Sequence, residues 1–157
     1  MDYLFYKLLH VLGVILFLGN IITAIFWMQI AVRSKDARII GHTLKGIITA
    51  DALFTMPGVI LLAAAGLMTA MVGRYPLLQT GWIVWPTVLF IVSGIIFMVR
   101  LAPLQKRMAA MTDEHAGDIA FDWEAFRSLH NSWLVWGAAA TVTPIAAAVM
   151  MVLKRPL

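Results

Sequence analysis

One histidine in the first apolar segment is the residue best suited to chemistry. The stretch YKLLHVLGVILFLGN, residues 6–20, is almost wholly apolar, yet it contains His10 and ends at Asn20. At 3.6 residues per turn, Gly13, Phe17 and Asn20 share roughly the helical face of His10. An imidazole in such a helix is costly unless it is paired, bound to a metal or facing a cavity. Two interpretations are open: a histidine bonded to a neighbouring helix, and a ligand or proton carrier.

Other histidines and one carboxylate are weaker candidates. The remaining histidines are expected at the opposite end of the bundle, so a bis-histidine haem site with His10 is not predicted; they are His42, His115 and His130. If His10 binds iron, the other axial position is open or filled by a methionine at comparable depth: Met68, Met71, Met150 or Met151. Asp51 is predicted either at a helix N-terminus or in a buried ion pair with an arginine, namely Arg33, Arg100 or Arg127.

The elements that must position these residues are transmembrane helices. Hydrophobic residues make up 62% of the 157 residues and charged residues only 13%, unlike a soluble domain. Four runs lack Asp, Glu, Lys and Arg, and each exceeds the ~20 residues that span a bilayer; they are residues 8–32, 52–73, 75–99 and 128–153. The sequence therefore predicts an all-α, integral membrane four-helix bundle. A single transmembrane domain covers residues 1–157, with helices at about 4–32, 48–73, 80–102 and 128–153.

The distribution of basic residues predicts the orientation. Eight lie in or beside the two long connections at residues 33–47 and 103–127, and four lie at the opposite end. The positive-inside rule then places both connections in the cytoplasm and both termini outside. The net charge of +4 reports this orientation, and no nucleic-acid partner is expected. The chain has no cysteine, which excludes disulfides and thiolate metal sites.

Small residues and prolines predict how the helices meet. Gly13, Gly66 and other small residues permit close helix packing, and such faces also permit a homo-oligomer. Pro57 should kink the second helix, and Gly58 gives room for the bend. The short connection GRYPLLQTG predicts that helices two and three are antiparallel neighbours. In the polar connection, Leu104, Met108 and Met111 are spaced for one face of a short interfacial helix.

Three motifs in order resemble known membrane proteins. YKLLHVLGVILFLGN, TMPGVILLAAAGL and LLQTGWIVWP resemble the first three helices of the HemJ-type protoporphyrinogen oxidases. The chain is most similar to a family of bacterial four-helix membrane proteins of unknown function, related to HemJ and to the membrane domain of PuuD-type urate oxidases. The resemblance implies a protein of the bacterial inner membrane with a haem b or porphyrin site and His10 as iron ligand. The HemJ pattern has a lysine after the Gly-Trp of helix three, whereas no lysine lies between Gly81 and Arg100 here.

These observations support one leading hypothesis and two others. The leading hypothesis is a membrane b-type haem-binding protein in redox or haem-pathway service, with an electron-transfer partner not identified by the sequence. His10 would ligate iron, Gly13 would let the macrocycle approach, and Phe17, Asn20 and Pro57 would shape the pocket. The second is a cofactor-free membrane subunit or small transporter-like bundle held by polar contacts. The third is a porphyrinogen oxidase that uses another base.

Overall fold

The computed structural model describes residues 2–114 and 121–156, and these residues form helices without any strand. The six α-helices are α1 (Tyr3–Arg33), α2 (Ala37–Ala50), α3 (Met56–Val72), α4 (Gly81–Ile96), α5 (Ala102–Glu114) and α6 (Trp123–Leu153). A π-helical turn joins α2 to α3, and another joins α4 to α5. In the described part, four continuous helical rods are long and apolar enough to cross a membrane. The predicted all-α membrane four-helix bundle is confirmed.

The rods define two ends of the molecule. We call the end that holds Arg33, Ala37 and Trp123 the inner end, and the end that holds Val72 and Gly81 the outer end. These names follow the predicted orientation. The basic residues of the two long connections fall at or towards the inner end, because α1 and α5 finish there and α2 and α6 begin there.

The segment predicted as a loop at 33–47 is mostly helix. Asp36 begins α2 because its Oδ1 accepts hydrogen bonds from the backbone N–H groups of Arg38 and Ile39. The apolar residues Ile40 and Leu44 are fully buried at helical spacing, while charged residues occupy the opposite face. The polar residues that resembled a loop therefore belong to an amphipathic helix, and the second rod begins at Ala37, well before residue 48.

The segment predicted as a loop at 103–127 also differs from expectation. Its first part continues the third rod as α5, and Met108 is fully buried where α5 packs against α2. Thr112 lies against Gly41 of α2, which has no side chain to separate the two helices. The face with Leu104 and Met108 thus packs against protein, so the prediction of an interfacial helix is wrong.

Both π turns end two positions before a proline. The N–H of Met56 donates to the carbonyl of Asp51, five residues earlier, and Pro57 follows. The N–H of Ala102 likewise donates to the carbonyl of Phe97, and Pro103 follows. Proline lacks an N–H and its ring clashes with the carbonyl four residues before it, so a wider turn relieves the crowding. The kink at Pro57 stays a prediction, and the feature that the structure shows before this proline is a π turn.

The rods are packed as two pairs. In the outer half α1 packs along α3, and α4 packs along α6, where the Ser93 hydroxyl donates to the carbonyl of Ala140 at 2.7 Å. α3 and α4 do not pack closely against each other, so the prediction that helices two and three are packed neighbours is wrong. The small residues of α3 pack against α1, and Ser93 of α4 packs against α6. The pairs meet mainly through the inner half, where α2 contacts α5 and a cluster around Met28, Phe126 and Trp133 is buried.

Candidate functional site

His10 lies at the contact between α1 and α3. Its Nδ1 is 2.7 Å from the carbonyl oxygen of Leu62. A carbonyl oxygen can only accept, so Nδ1 carries the proton and the neutral ring keeps its free electron pair on Nε2. Histidines that bind metals commonly donate their other ring N–H to a backbone carbonyl in this way. The geometry therefore fixes both the orientation of the imidazole and the atom it can offer to a ligand.

Two glycines make this contact possible. A Cβ atom on Gly66 would lie 2.8 Å from Nδ1 of His10, so the missing side chain provides the space for the ring. A Cβ atom on Gly13 would lie 2.6 Å from the backbone nitrogen of Leu62. The backbones of α1 and α3 thus meet at Gly13, as small residues allow in membranes. The space in front of Gly13 is filled by α3, so a macrocycle does not have access to that face.

The other residues predicted around His10 have separate environments. Phe17 is buried, with its backbone against Gly58 and its ring edge-to-face with Phe90 at 5.6 Å between centroids. Pro57 is exposed on the outside of the bundle. Asn20 is engaged with a polar cluster. The structure therefore places four of the predicted residues along one packed face of α1, as the spacing indicated, and only His10 offers an unoccupied ligand atom.

A buried polar cluster surrounds Asp51. Its Oδ1 accepts hydrogen bonds from the Asn20 amide at 3.0 Å and the Thr55 hydroxyl at 2.9 Å, and its Oδ2 accepts one from Gln105 at 3.2 Å. The Asn20 amide also donates to the Thr55 hydroxyl at 2.8 Å. Three transmembrane rods contribute to this cluster. No cationic side chain of residues 2–114 or 121–156 forms an ion pair with the carboxyl group.

This environment differs from both predictions for Asp51. The residue does not begin a helix, because α2 precedes it and the π turn starts at this position. It does not pair with an arginine either, since amide and hydroxyl groups supply all three donors. Sequence analysis missed Thr55 and Gln105. Thr55 is one helical turn after Asp51 and could have been noted, whereas Gln105 lay in a segment that was assigned to a loop.

The remaining histidines are dispersed. His42 is exposed on α2, and His115 lies outside the described residues. His130 is buried between the rings of Phe126 and Trp133, and its Nε2 has no hydrogen-bond partner in the described part. No group of three or more potential metal ligands occurs there. Among the methionines proposed as axial ligands, Met71 is largely exposed, and the other three are partly buried on α3 and α6.

Comparisons with known proteins provide a family assignment. Searches of curated proteins and of solved structures find no significant match to this chain. A family model described as "Predicted integral membrane protein (DUF2269)" matches residues 4–155. The description agrees with the four membrane-crossing rods and states no ligand or reaction. Because the match covers all four rods, the chain belongs to this family of predicted integral membrane proteins.

Proposed function

We propose that this membrane protein binds a b-type haem or a related porphyrin through His10, in redox or haem-pathway service. The observation that carries the proposal is the hydrogen bond from Nδ1 of His10 to the carbonyl oxygen of Leu62. This bond leaves Nε2 as the atom for iron and holds the ring against rotation. The partial exposure of His10 gives a ligand access from the side of α1 that does not face α3.

The proposal concerns binding and not porphyrinogen oxidation. The resemblance to HemJ-type enzymes includes the histidine of the first helix, but the lysine that follows Gly-Trp in their third helix has no counterpart between Gly81 and Arg100. Gly13 packs against α3, so it does not give the macrocycle the approach that the sequence predicted. A macrocycle would lie beside the exposed edge of His10 and would not enter between α1 and α3.

The direct test is an absorption spectrum of the purified protein in detergent, oxidised and then reduced with dithionite. We expect an intense Soret band that shifts on reduction. His10→Ala should abolish it, and His10→Gln should do the same while keeping a donor for Leu62, which controls for misfolding. His42→Ala is the matched control, because His42 is exposed on α2 and has no hydrogen-bonded partner in the described part. Gly66→Ala should weaken the band by displacing the ring.

A colourless protein that stays colourless after incubation with haem contradicts the proposal. So does a band that is equally strong in His10→Gln, provided that the variant keeps the helical content of the parent protein. Equal loss of the band in His42→Ala would indicate haem held non-specifically by surface histidines and would overturn the assignment to His10.

A cofactor-free membrane bundle is the second candidate, and the cluster around Asp51 favours it. A carboxyl group bonded by Asn20, Thr55 and Gln105 joins three rods, as expected for polar residues that hold a transmembrane bundle together or carry a proton. Under this alternative, the bond between His10 and Leu62 is also purely structural. The absorption spectrum separates the two candidates, because only the first predicts a chromophore that depends on His10.

A further inference from the structure

A second candidate site lies at the inner end, far from His10. A cavity of about 420 Å³ lies between the C-terminal end of α1 and the first turns of α6. Its lining combines three basic residues, two aromatic residues and one histidine: Arg33, Lys35, Arg127, Trp123, Phe126 and His130. None of the three basic side chains has an acidic partner in the described part of the chain. The cavity therefore presents uncompensated positive charge beside apolar rings.

His130 contributes a buried ring to the wall of the cavity. The residue is 5% exposed, and its Nε2 is buried without a hydrogen-bond partner among the described residues. A buried polar atom of this kind costs free energy unless something bonds to it. The flat stacking of the ring between Phe126 and Trp133, at centroid distances of 6.1 and 6.3 Å, holds it beside the cavity.

We propose that this cavity binds the phosphate headgroup of an anionic phospholipid. The side chains of Arg33, Lys35 and Arg127 would hold the phosphate. Charge-assisted bonds from guanidinium groups to phosphate are among the stronger hydrogen bonds in proteins. Basic pockets between transmembrane helices on the cytoplasmic side are suited to such headgroups.

The rest of the lining favours a lipid over a soluble anion. Trp123 and Phe126 give the cavity apolar walls, which would contact the glycerol and the first methylene groups of an acyl chain. Tryptophan near the end of a transmembrane helix is typical of the headgroup region. The site is also distinct from that of the proposed haem, because the 23 residues from His10 to Arg33 extend for about 35 Å along α1.

Lipid binding can be measured by native mass spectrometry of the delipidated full-length protein in detergent. The probes are phosphatidylglycerol and phosphatidylcholine with identical acyl chains, and inorganic phosphate is the competitor. The test variant, Arg33→Gln with Arg127→Gln, removes two charges from the cavity. The control variant, Arg38→Gln with Lys106→Gln, removes two exposed charges from the inner half of the bundle outside the cavity.

We expect phosphatidylglycerol to bind the parent protein more tightly than phosphatidylcholine. The apparent Kd for phosphatidylglycerol should rise at least about tenfold in the test variant, as for the loss of one hydrogen bond to a charged group. It should change less than about twofold in the control variant.

Three results would overturn the proposal. Equal weakening in the test and control variants would mean that the attraction is a general effect of basic charge. Displacement of the lipid by inorganic phosphate at comparable concentration would make the cavity a site for a soluble anion. A loss of the Soret band in His130→Phe would assign the cavity to the cofactor. A loss confined to the His10 variants would support a lipid site that is separate from the haem site.

Discussion

At the scale of single residues, hydrogen-bond partners decide what each polar side chain in the apolar rods can do. His10 has donated one ring proton to a carbonyl and keeps one nitrogen for a ligand. Asn20 has both donor bonds directed at the cluster of Asp51 and Thr55, so it contributes to packing and not to a pocket near His10. The same face of α1 therefore contains His10, which keeps an atom for a ligand, and Asn20, which holds the rods together.

Sequence spacing predicted the shared face but not these partners. Gly13, Phe17 and Asn20 do follow His10 along the side of α1 that packs against the second rod. Which atom lies opposite each of them depends on the register between α1 and α3, which the close contact of Gly13 with Leu62 sets. That register is a property of two distant segments, and periodicity within one segment does not contain it.

The cluster around Asp51 leads to a prediction about stability. Asp51→Ala removes the acceptor for the donors of Asn20, Thr55 and Gln105. Asn20 keeps its bond to Thr55, whereas the Thr55 hydroxyl and the Gln105 amide lose their acceptor in a buried place. We expect a loss of about 2 kcal/mol or more in the free energy of unfolding. Asp51→Asn should cost less, because an amide oxygen still accepts and the amide of Gln105 can rotate. Unfolding in dodecylmaltoside with increasing SDS, followed by circular dichroism, measures both values.

Thr43→Val is the matched control for that experiment. The Thr43 hydroxyl donates only to the carbonyl of Ile39 in its own helical turn, so its removal should change the free energy by less than about 0.5 kcal/mol. If Asp51→Ala proved as stable as this control, the cluster would not be a structural joint between rods.

At the scale of elements, the runs without charged residues predicted the four rods correctly. The charged segments were assigned to loops, although they are the helical extensions α2 and α5. The four spans follow from residues 8–32, 52–73, 75–99 and 128–153, because hydrocarbon excludes charge. Residues 37–47 carry Arg38 and Lys45 and suggested a loop. Both side chains are exposed there, whereas Ile40 and Leu44 are buried. Weighing helical periodicity above charge content would have found α2 and, by the same argument, α5.

The packing of α1 on α3 supports a prediction with an internal control. In Gly13→Ala the new Cβ atom would lie 2.6 Å from a backbone nitrogen of Leu62, so the two helices must separate. We expect a loss of about 1–3 kcal/mol in unfolding free energy, together with a weaker bond between His10 and Leu62. Gly19→Ala on the same helix meets nothing within 4 Å and should be neutral or slightly stabilising. The SDS titration compares the variants, and equal stability would contradict the close approach.

At the scale of the whole molecule, the rods divide into an outer half of two pairs and a shared inner half. The rods Ala37–Val72 and Gly81–Asp113 contain 36 and 33 residues. At 1.5 Å per residue they extend for roughly 50 Å, well beyond the ~30 Å hydrocarbon layer. Their inner segments, α2 and α5, are amphipathic and carry most of the charges. The buried cluster with Ile40, Leu44 and Met108 thus lies towards the end where water can drive apolar burial.

The outer half depends on a different kind of contact. Lipid tails are as apolar as the side chains, so helix pairs there associate through close backbone packing and hydrogen bonds. Gly13 and Gly66 allow α1 and α3 to pack closely, and Ser93 forms a hydrogen bond between α4 and α6. α3 and α4 do not pack closely although only residues 73–80 connect them, and the ring contact of Phe17 with Phe90 joins the two pairs. A short connection therefore fixes the antiparallel order of the rods but not their contact.

The orientation of the molecule in the membrane can be tested with single introduced cysteines, because the chain has no cysteine of its own. Leu78 is 91% exposed between α3 and α4 at the outer end, and His42 is exposed on α2 towards the inner end. Neither Leu78→Cys nor His42→Cys changes the count of Lys and Arg that sets the orientation. In intact bacterial spheroplasts, a membrane-impermeant maleimide should label Leu78→Cys, and it should label His42→Cys only after permeabilisation. The reverse pattern would place the basic cavity outside the cell, where the anionic cytoplasmic leaflet could not supply its lipid.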